Sequence, residues 1–278
     1  MLRRDQRGEP ILAMIVGHFA VVRVLRMPPI RAVLKNNPKV VYRYWGTYLA
    51  RSLSLPSRRQ ILTTHYSFLM SRVNETFFDA VVSNKPTLWD ATIGAKRYAI
   101  RLSFTGIQHY EGDLLLELEE DSIPLYQLAF TIAPGRVAGA DAPHAMLIAR
   151  IQGVRGQVEA IRRAARACCD IAPPHLLMAA AQGIAAALRI GVIAGVKNKE
   201  QLSATIEVET PVSFDYDAFW HTYIATEASI FYLLAVPIPD KPLRQIKPNH
   251  RQRTRLKRLF KHEVTKTTQA TFSKRFLR

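Results

Sequence analysis

Tyr98-Ala99-Ile100-Arg101-Leu102-Ser103-Phe104 decides the fold class. Side chains alternate along an extended chain, so Tyr98, Ile100, Leu102 and Phe104 share one face. Gly106 ends the run. Residues 109–119 alternate again, setting Leu114, Leu116 and Leu118 against Asp113, Leu115 and Glu117. Residues 125–132 follow between Pro124 and Pro134-Gly135, and residues 145–151 form an apolar run. Four such segments with short connections predict an antiparallel meander.

C-terminal to the meander the period changes. Gln152-Gly153-Val154-Arg155-Gly156-Gln157 leads into a helix over 158–169, and Pro173-Pro174 starts a second helix reaching Leu188. Residues 191–196 read as a short buried strand, with further strands at 204–208 and 229–236. Phe214-Asp215-Tyr216-Asp217-Ala218-Phe219-Trp220 reads as a capped helix start. N-terminal to the meander, the first 80 residues read as helical. One helix spans 40–55 and is broken by Pro56; Ser57-Arg58-Arg59-Gln60 opens another carrying Ile61, Leu62, His65, Phe68 and Leu69. Asn84-Lys85-Pro86 marks a loop. The expected organisation is a helical N-terminal region (1–90) packed on an α/β core (91–240), followed by a basic C-terminal tail (241–278).

The chain has 278 residues, enough for one large domain or two small ones, and 48% of them are hydrophobic. Its two cysteines, Cys168 and Cys169, are adjacent and poorly placed to pair. A disulfide framework and a cysteine-based zinc site are excluded, and a reducing compartment such as the cytoplasm is expected. The net charge of +17 is uneven: residues 1–62 hold 12 basic and 2 acidic residues, and residues 241–278 hold 13 basic residues and one acid, Glu263. Basic ends of this kind attract polyanions: an anionic membrane surface, an acidic protein or nucleic acid. The apolar run 11–22 is shorter than the ~20 residues of a membrane span. Arg23, Arg26 and Pro28-Pro29 stand where a signal cleavage site would lie, so a packed or peripheral membrane helix is expected instead.

The order of elements is similar to the core of GNAT-type N-acetyltransferases, in a mixed, largely antiparallel sheet with flanking helices (α/β, α+β). That resemblance implies an acyl-CoA or acyl carrier protein phosphopantetheine donor, held where the 152–157 turn opens a helix. Unpaired N–H groups and the positive end of a helix dipole favour an anion there. Gln152, Gly153, Arg155 and Gly156 would surround the donor, with Asn198 on its pantetheine arm; the glycines stand out of register with the family's pattern. Glu111, with His109 two residues away, or His65 would be the base for an attacking amine or hydroxyl. No nucleophile elbow, P-loop or His-Glu-x-x-His motif is present, the histidines show no metal-ligand pair, and no metal is expected.

A closer resemblance rests on an ordered set of segments: Arg59-Gln60-Ile61-Leu62-Thr63-Thr64-His65-Tyr66, Tyr110-Glu111-Gly112-Asp113-Leu114, Leu125-Tyr126-Gln127-Leu128-Ala129-Phe130, Ile151-Gln152-Gly153, Gly191-Val192-Ile193-Ala194-Gly195-Val196-Lys197-Asn198 and the 214–220 stretch. In these the chain resembles the VirK/YbjX family of Gram-negative bacteria. The resemblance implies a setting in virulence, cell-envelope integrity and tolerance of cationic antimicrobial peptides, and names no reaction. Three functions are therefore open: an acyltransferase, a non-enzymatic factor binding an envelope lipid or protein, and a nucleic-acid-binding protein. The last lacks any recognition motif beside the basic segment. An anionic membrane surface or acyl carrier protein fits the basic ends better, with the protein cytoplasmic or peripheral to the inner membrane.

Overall fold

The computed structural model describes residues 11–105, 110–202 and 214–278. The N-terminal layer holds α1 (Ile11–Leu25), α2 (Arg31–Asn36), α3 (Leu55–Arg72) and the single turn α4 (Phe77–Asp79). Of the expected helix over 40–55, only the 3-10 segment Pro38–Tyr42 is helical. Pro56 breaks nothing: it sits in the first turn of α3, where a missing N–H costs no hydrogen bond. Ser54 caps that turn, its hydroxyl accepting from the Ser57 N–H at 3.3 Å.

The sheet has eight strands in the order β1-β2-β3-β4-β5-β6-β8-β7. β1 (Thr87–Ile93) to β5 (His144–Gly153) form the expected meander through β2 (Lys96–Phe104), β3 (Leu114–Glu120) and β4 (Ile123–Pro134). β1 is an addition: Thr87-Leu88-Trp89-Asp90-Ala91-Thr92-Ile93 lacks clean alternation, and its register shifts between Thr87 and Trp89. β3 starts at Leu114, not at 109; His109 lies outside the described residues, as does the strand expected over 204–208. All seven residues of β3 are buried, including Glu117, Glu119 and Glu120. Their carboxylates are met by Lys85 at 3.6 Å, Arg101 at 2.9 Å and Arg163 at 2.8 Å.

After the single turn α5 (Gly135–Ala138) and β5, the chain crosses through α6 (Val158–Ala167) and α7 (Pro173–Ala187) to β6 (Val192–Val196), which pairs parallel to β5. α8 (Tyr216–His221), β7 (Thr226–Glu227) and β8 (Phe231–Ala235) complete the sheet. The parallel ladder is short, running from Met146/Ile193 to Ile148/Gly195, so residues 149–153 of β5 continue against β4 alone.

The basic C-terminal segment is an integral helix, α9 (Arg251–Phe276). It lies against α7 with Val264, Thr265, Thr268, Phe272 and Phe276 buried. A Cβ at Gly183 of α7 would come within 2.5 Å of the Thr265 carbonyl oxygen, so glycine sets the approach of the two helices. Leu256 and Leu259 are exposed, while Phe260 packs edge-on against Trp89. The end of α9 returns to α3 through the Val73–Leu277 bridge, the Asn74 amide donating to the Arg275 carbonyl at 2.8 Å.

Candidate functional site

Beside the start of β3 lies a buried polar cluster centred on Asp113. Gly112 precedes it with φ +152°, and a Cβ there would meet the Phe130 nitrogen at 2.9 Å, so the turn that delivers Asp113 requires glycine. Arg43 Nη1 donates to Asp113 Oδ1 at 2.7 Å and to the Gly112 carbonyl at 3.2 Å. Tyr66 donates to Oδ1, and Tyr48 and Thr131 donate to Oδ2. Burial alone would push the Asp113 carboxyl up; the Arg43 charge, the nearby His65 and the Tyr48 and Thr131 hydroxyls outweigh it and hold the group below its ordinary range. Tyr48 and Tyr66 are pushed well above theirs by burial and then by the Asp113 charge.

His65 belongs to the same cluster. β4 extends past the start of β3, and the Ile132 N–H left over donates to His65 Nδ1 at 3.0 Å. The ring hydrogen is therefore on Nε2, which has no hydrogen-bond partner among the described residues. Burial lowers the His65 pKa to about 4. A fully enclosed neutral imidazole that accepts from the backbone supports the sheet.

This has a consequence for stability. In the unfolded chain His65 titrates near 6.5, in the folded one near 4, so the unfolded state binds more protons between those values and stability falls as pH drops through them. The full difference is about 3 kcal/mol. Urea midpoints measured from pH 7 to pH 4 are expected to decline for the wild type and to decline less for His65→Gln. Equal slopes would show that His65 does not control the loss.

The other predicted site residues that the structure describes lie before β3, at the end of β5, in the turn before α6 and after β6. Glu111 is buried, with Arg150 Nη1 at 3.3 Å from its Oε2. Arg155 and Gly156 are exposed in the turn before α6, and Gly156 has φ +82°. Gln152 pairs with Gln127 across the sheet. Asn198 orders α8: its amide donates to Asp215 at 2.8 Å and its oxygen accepts from the Tyr216 N–H at 2.7 Å. Asp215 is the helix cap, accepting from the Ala218 N–H at 3.0 Å. Where β5 leaves β6, the Tyr216 hydroxyl takes the place of the missing strand. It accepts from the Ile151 N–H at 2.9 Å and donates to the Ile151 carbonyl at 3.2 Å. No group of three or more His, Cys, Asp or Glu arranged to hold a metal occurs among the described residues.

A second feature escapes sequence patterning because it is assembled from two segments. On α1, Leu12, Ile15, Val16 and Phe19 follow i, i+3, i+4, i+7 spacing and all face out; Leu12 is 73% exposed, Val16 60% and Phe19 68%. Val21 and Leu25 face the core. Beside the outer stripe, His18 stacks on Tyr42 at 5.4 Å and lies 5.5 Å from Trp45; both aromatic rings are exposed. Arg23, Arg26, Arg31, Lys35 and Lys39 are exposed on the same stretch of chain. No acidic residue occurs between Glu9 and Glu75. The signal in the sequence was the i, i+3, i+4, i+7 run within 11–22; the contribution of Tyr42 and Trp45 needed the fold.

A family model described as "Protein of unknown function (DUF535)" matches residues 20–270. "Uncharacterized protein YbjX" of Escherichia coli (strain K12) is 26% identical over 229 residues, covering 79% of this chain and 68% of that protein. No solved structure matches. No single described helix is long and apolar enough to cross a membrane.

Proposed function

This chain belongs to the DUF535 family of proteins of unknown function, and on that footing we propose that it is a non-enzymatic, peripheral binding factor for an anionic bilayer surface. The observation that carries the reading is the outward stripe of Leu12, Ile15, Val16 and Phe19 beside Tyr42 and Trp45, within a stretch free of carboxylates. An amphipathic helix of this kind lies in the membrane plane with its apolar face at the acyl boundary. Tyr and Trp suit the boundary because each has an apolar body and a polar tip. The surrounding Lys and Arg residues add about 1 kcal/mol each near an anionic leaflet. The VirK-like setting in envelope integrity and antimicrobial-peptide tolerance agrees with a protein that works at a lipid surface.

The test is co-sedimentation of the full chain with vesicles of phosphatidylcholine containing phosphatidylglycerol, against phosphatidylcholine alone. Binding is expected to need the anionic lipid and to weaken as salt rises. Leu12→Ser with Val16→Ser and Phe19→Ser should weaken it at least a hundredfold, since each removes an apolar group with about 1.5–3 kcal/mol of burial energy. These positions face outward, so the melting temperature should hardly change. Equal sedimentation of the triple variant would overturn the reading. Displacement from vesicles by duplex DNA at the same salt would move it to nucleic acid.

A second reading, acyl transfer from acyl-CoA or an acyl carrier protein, is favoured by the strand order and the short parallel ladder between β5 and β6. The space such a donor would enter is closed by Tyr216, so this reading requires α8 to withdraw. A thioester ligand co-purifying with the protein, detected by mass spectrometry, would support it.

A further inference from the structure

A cleft of about 540 Å³ lies between α7, the residues after α8 and α9, in a part of the molecule that the bilayer reading does not use. Its volume falls in the range of small-molecule sites. Ile171, Ala172, Met178, Ala179 and Ile238 supply apolar walls, and His175 with Tyr223 supplies a polar floor, His175 Nδ1 and the Tyr223 hydroxyl being 2.7 Å apart.

The charge lining this space is unbalanced. Four cationic side chains, Lys241, Lys257, Arg258 and Lys261, face two carboxylates, Asp170 and Asp240. Both carboxylates are already engaged by arginines: Arg253 holds Asp170 at 2.8 Å and Arg258 holds Asp240 at 3.3 Å. Lys257 donates to the Asp170 carbonyl oxygen at 2.6 Å, a contact that leaves its charge uncompensated. Lys261 has no salt bridge to a described carboxylate. Burial holds its pKa below the ordinary lysine value, opposed by the Asp240 charge and helped by Arg258 and Lys257, and the charges of Lys261 and Lys257 both reach His175. A half-buried ammonium that shares one carboxylate, Asp240, with Arg258 and lies against apolar walls is costly to maintain unless a ligand completes it.

We propose that this cleft binds a phosphate-headed amphiphile, its anionic head between Lys257 and Lys261 and its apolar part along the walls formed by Ile171, Met178 and Ile238. Lysine meets phosphate as a point charge with three donors, and the apolar walls separate such a ligand from inorganic phosphate. The site takes one dispersed molecule and is distinct from the outward surface of α1, which meets a bilayer.

Titration calorimetry of the full chain with dihexanoyl phosphatidate, kept below its micelle concentration, tests the proposal. Phosphatidate should bind at least tenfold more tightly than either inorganic phosphate or dihexanoyl phosphatidylcholine. Lys261→Met should cost at least tenfold with an unchanged thermal midpoint; Lys257→Ser provides the same reading should Lys261→Met fold poorly. Phe19→Ser should leave phosphatidate binding intact, whatever it does to vesicle binding. Inorganic phosphate binding as tightly as phosphatidate would overturn the amphiphile assignment. Wild-type affinity in both lysine variants, or a loss in Phe19→Ser equal to theirs, would overturn the assignment to this cleft.

Discussion

Asp113→Ala is expected to leave the protein largely unfolded in dilute buffer. The substitution strands the Arg43 guanidinium in the interior, where Nη1 keeps only the Gly112 carbonyl and the Thr105 hydroxyl, at 3.2 and 3.4 Å. It also takes the acceptor from Tyr48, Tyr66 and Thr131 together. Removing one partner of a buried pair costs about 3–5 kcal/mol, and each orphaned hydroxyl adds about 1–3 kcal/mol. A domain with a total of about 5–15 kcal/mol has little left. Asp113→Asn keeps the shape and loses the charge, and should be less damaging but still lower the urea midpoint strongly. The informative control is Arg43→Met combined with Asp113→Leu, which removes both charges and should recover part of the loss. An Asp113→Ala protein with the wild-type midpoint would show that the cluster does not hold the N-terminal layer to the sheet.

Deleting the residues after Asp240 should abolish cooperative unfolding, even though the deleted segment reads as a basic tail in sequence. Val264, Phe272 and Phe276 are buried, and Phe260 covers Trp89. At about 1.5–3 kcal/mol for each large apolar side chain, their loss removes roughly 6–12 kcal/mol before the newly bared face of α7 is counted. Trp89 would also lose Glu263, which accepts from its indole N–H at 2.9 Å. Near-ultraviolet dichroism should flatten, and the thermal transition should broaden or vanish. Reversing charge at Arg253, Arg255 and Lys257 is the matched control, and it should shift the midpoint only slightly. A sharp transition in the truncated chain would mean that α9 is dispensable to the fold.

The contrast between these segments explains what was legible in the sequence. β2 was readable because Tyr98, Ile100 and Leu102 alternate with residues of the other face, and α3 because Ile61, Leu62, His65, Phe68 and Leu69 repeat with helical period. β1 was not, since Thr87-Leu88-Trp89 contains a register shift that breaks the alternation. The role of α9 stayed hidden because its packing face uses Thr265 and Thr268 beside Val264, and small or polar residues give little hydropathy signal. Asp215, in the stretch read as a capped helix start, is the cap of α8. His65 was singled out as an imidazole on a helix and Asn198 through the acetyltransferase resemblance, and neither ground reveals that His65 Nδ1 accepts from the Ile132 N–H or that Asn198 holds the start of α8. Asp113, the centre of the buried cluster, was quoted within the Tyr110-Glu111-Gly112-Asp113-Leu114 stretch and read as the polar face of a strand. Its four partners come from three distant parts of the chain.

The closure of α9 onto the end of α3 also sets a schedule for synthesis. Asn74 and Arg275 are hydrogen-bonded across 201 positions, and Phe77 packs against both Phe272 and Phe276. At a ribosomal pace of about 5–20 residues per second, Phe77 is synthesised about 10–40 s before its aromatic partners. Through that interval the nascent N-terminal layer carries an uncovered apolar edge at Phe77. Whatever covers that edge during synthesis, such as a holdase chaperone, would set the yield of folded protein at that stage.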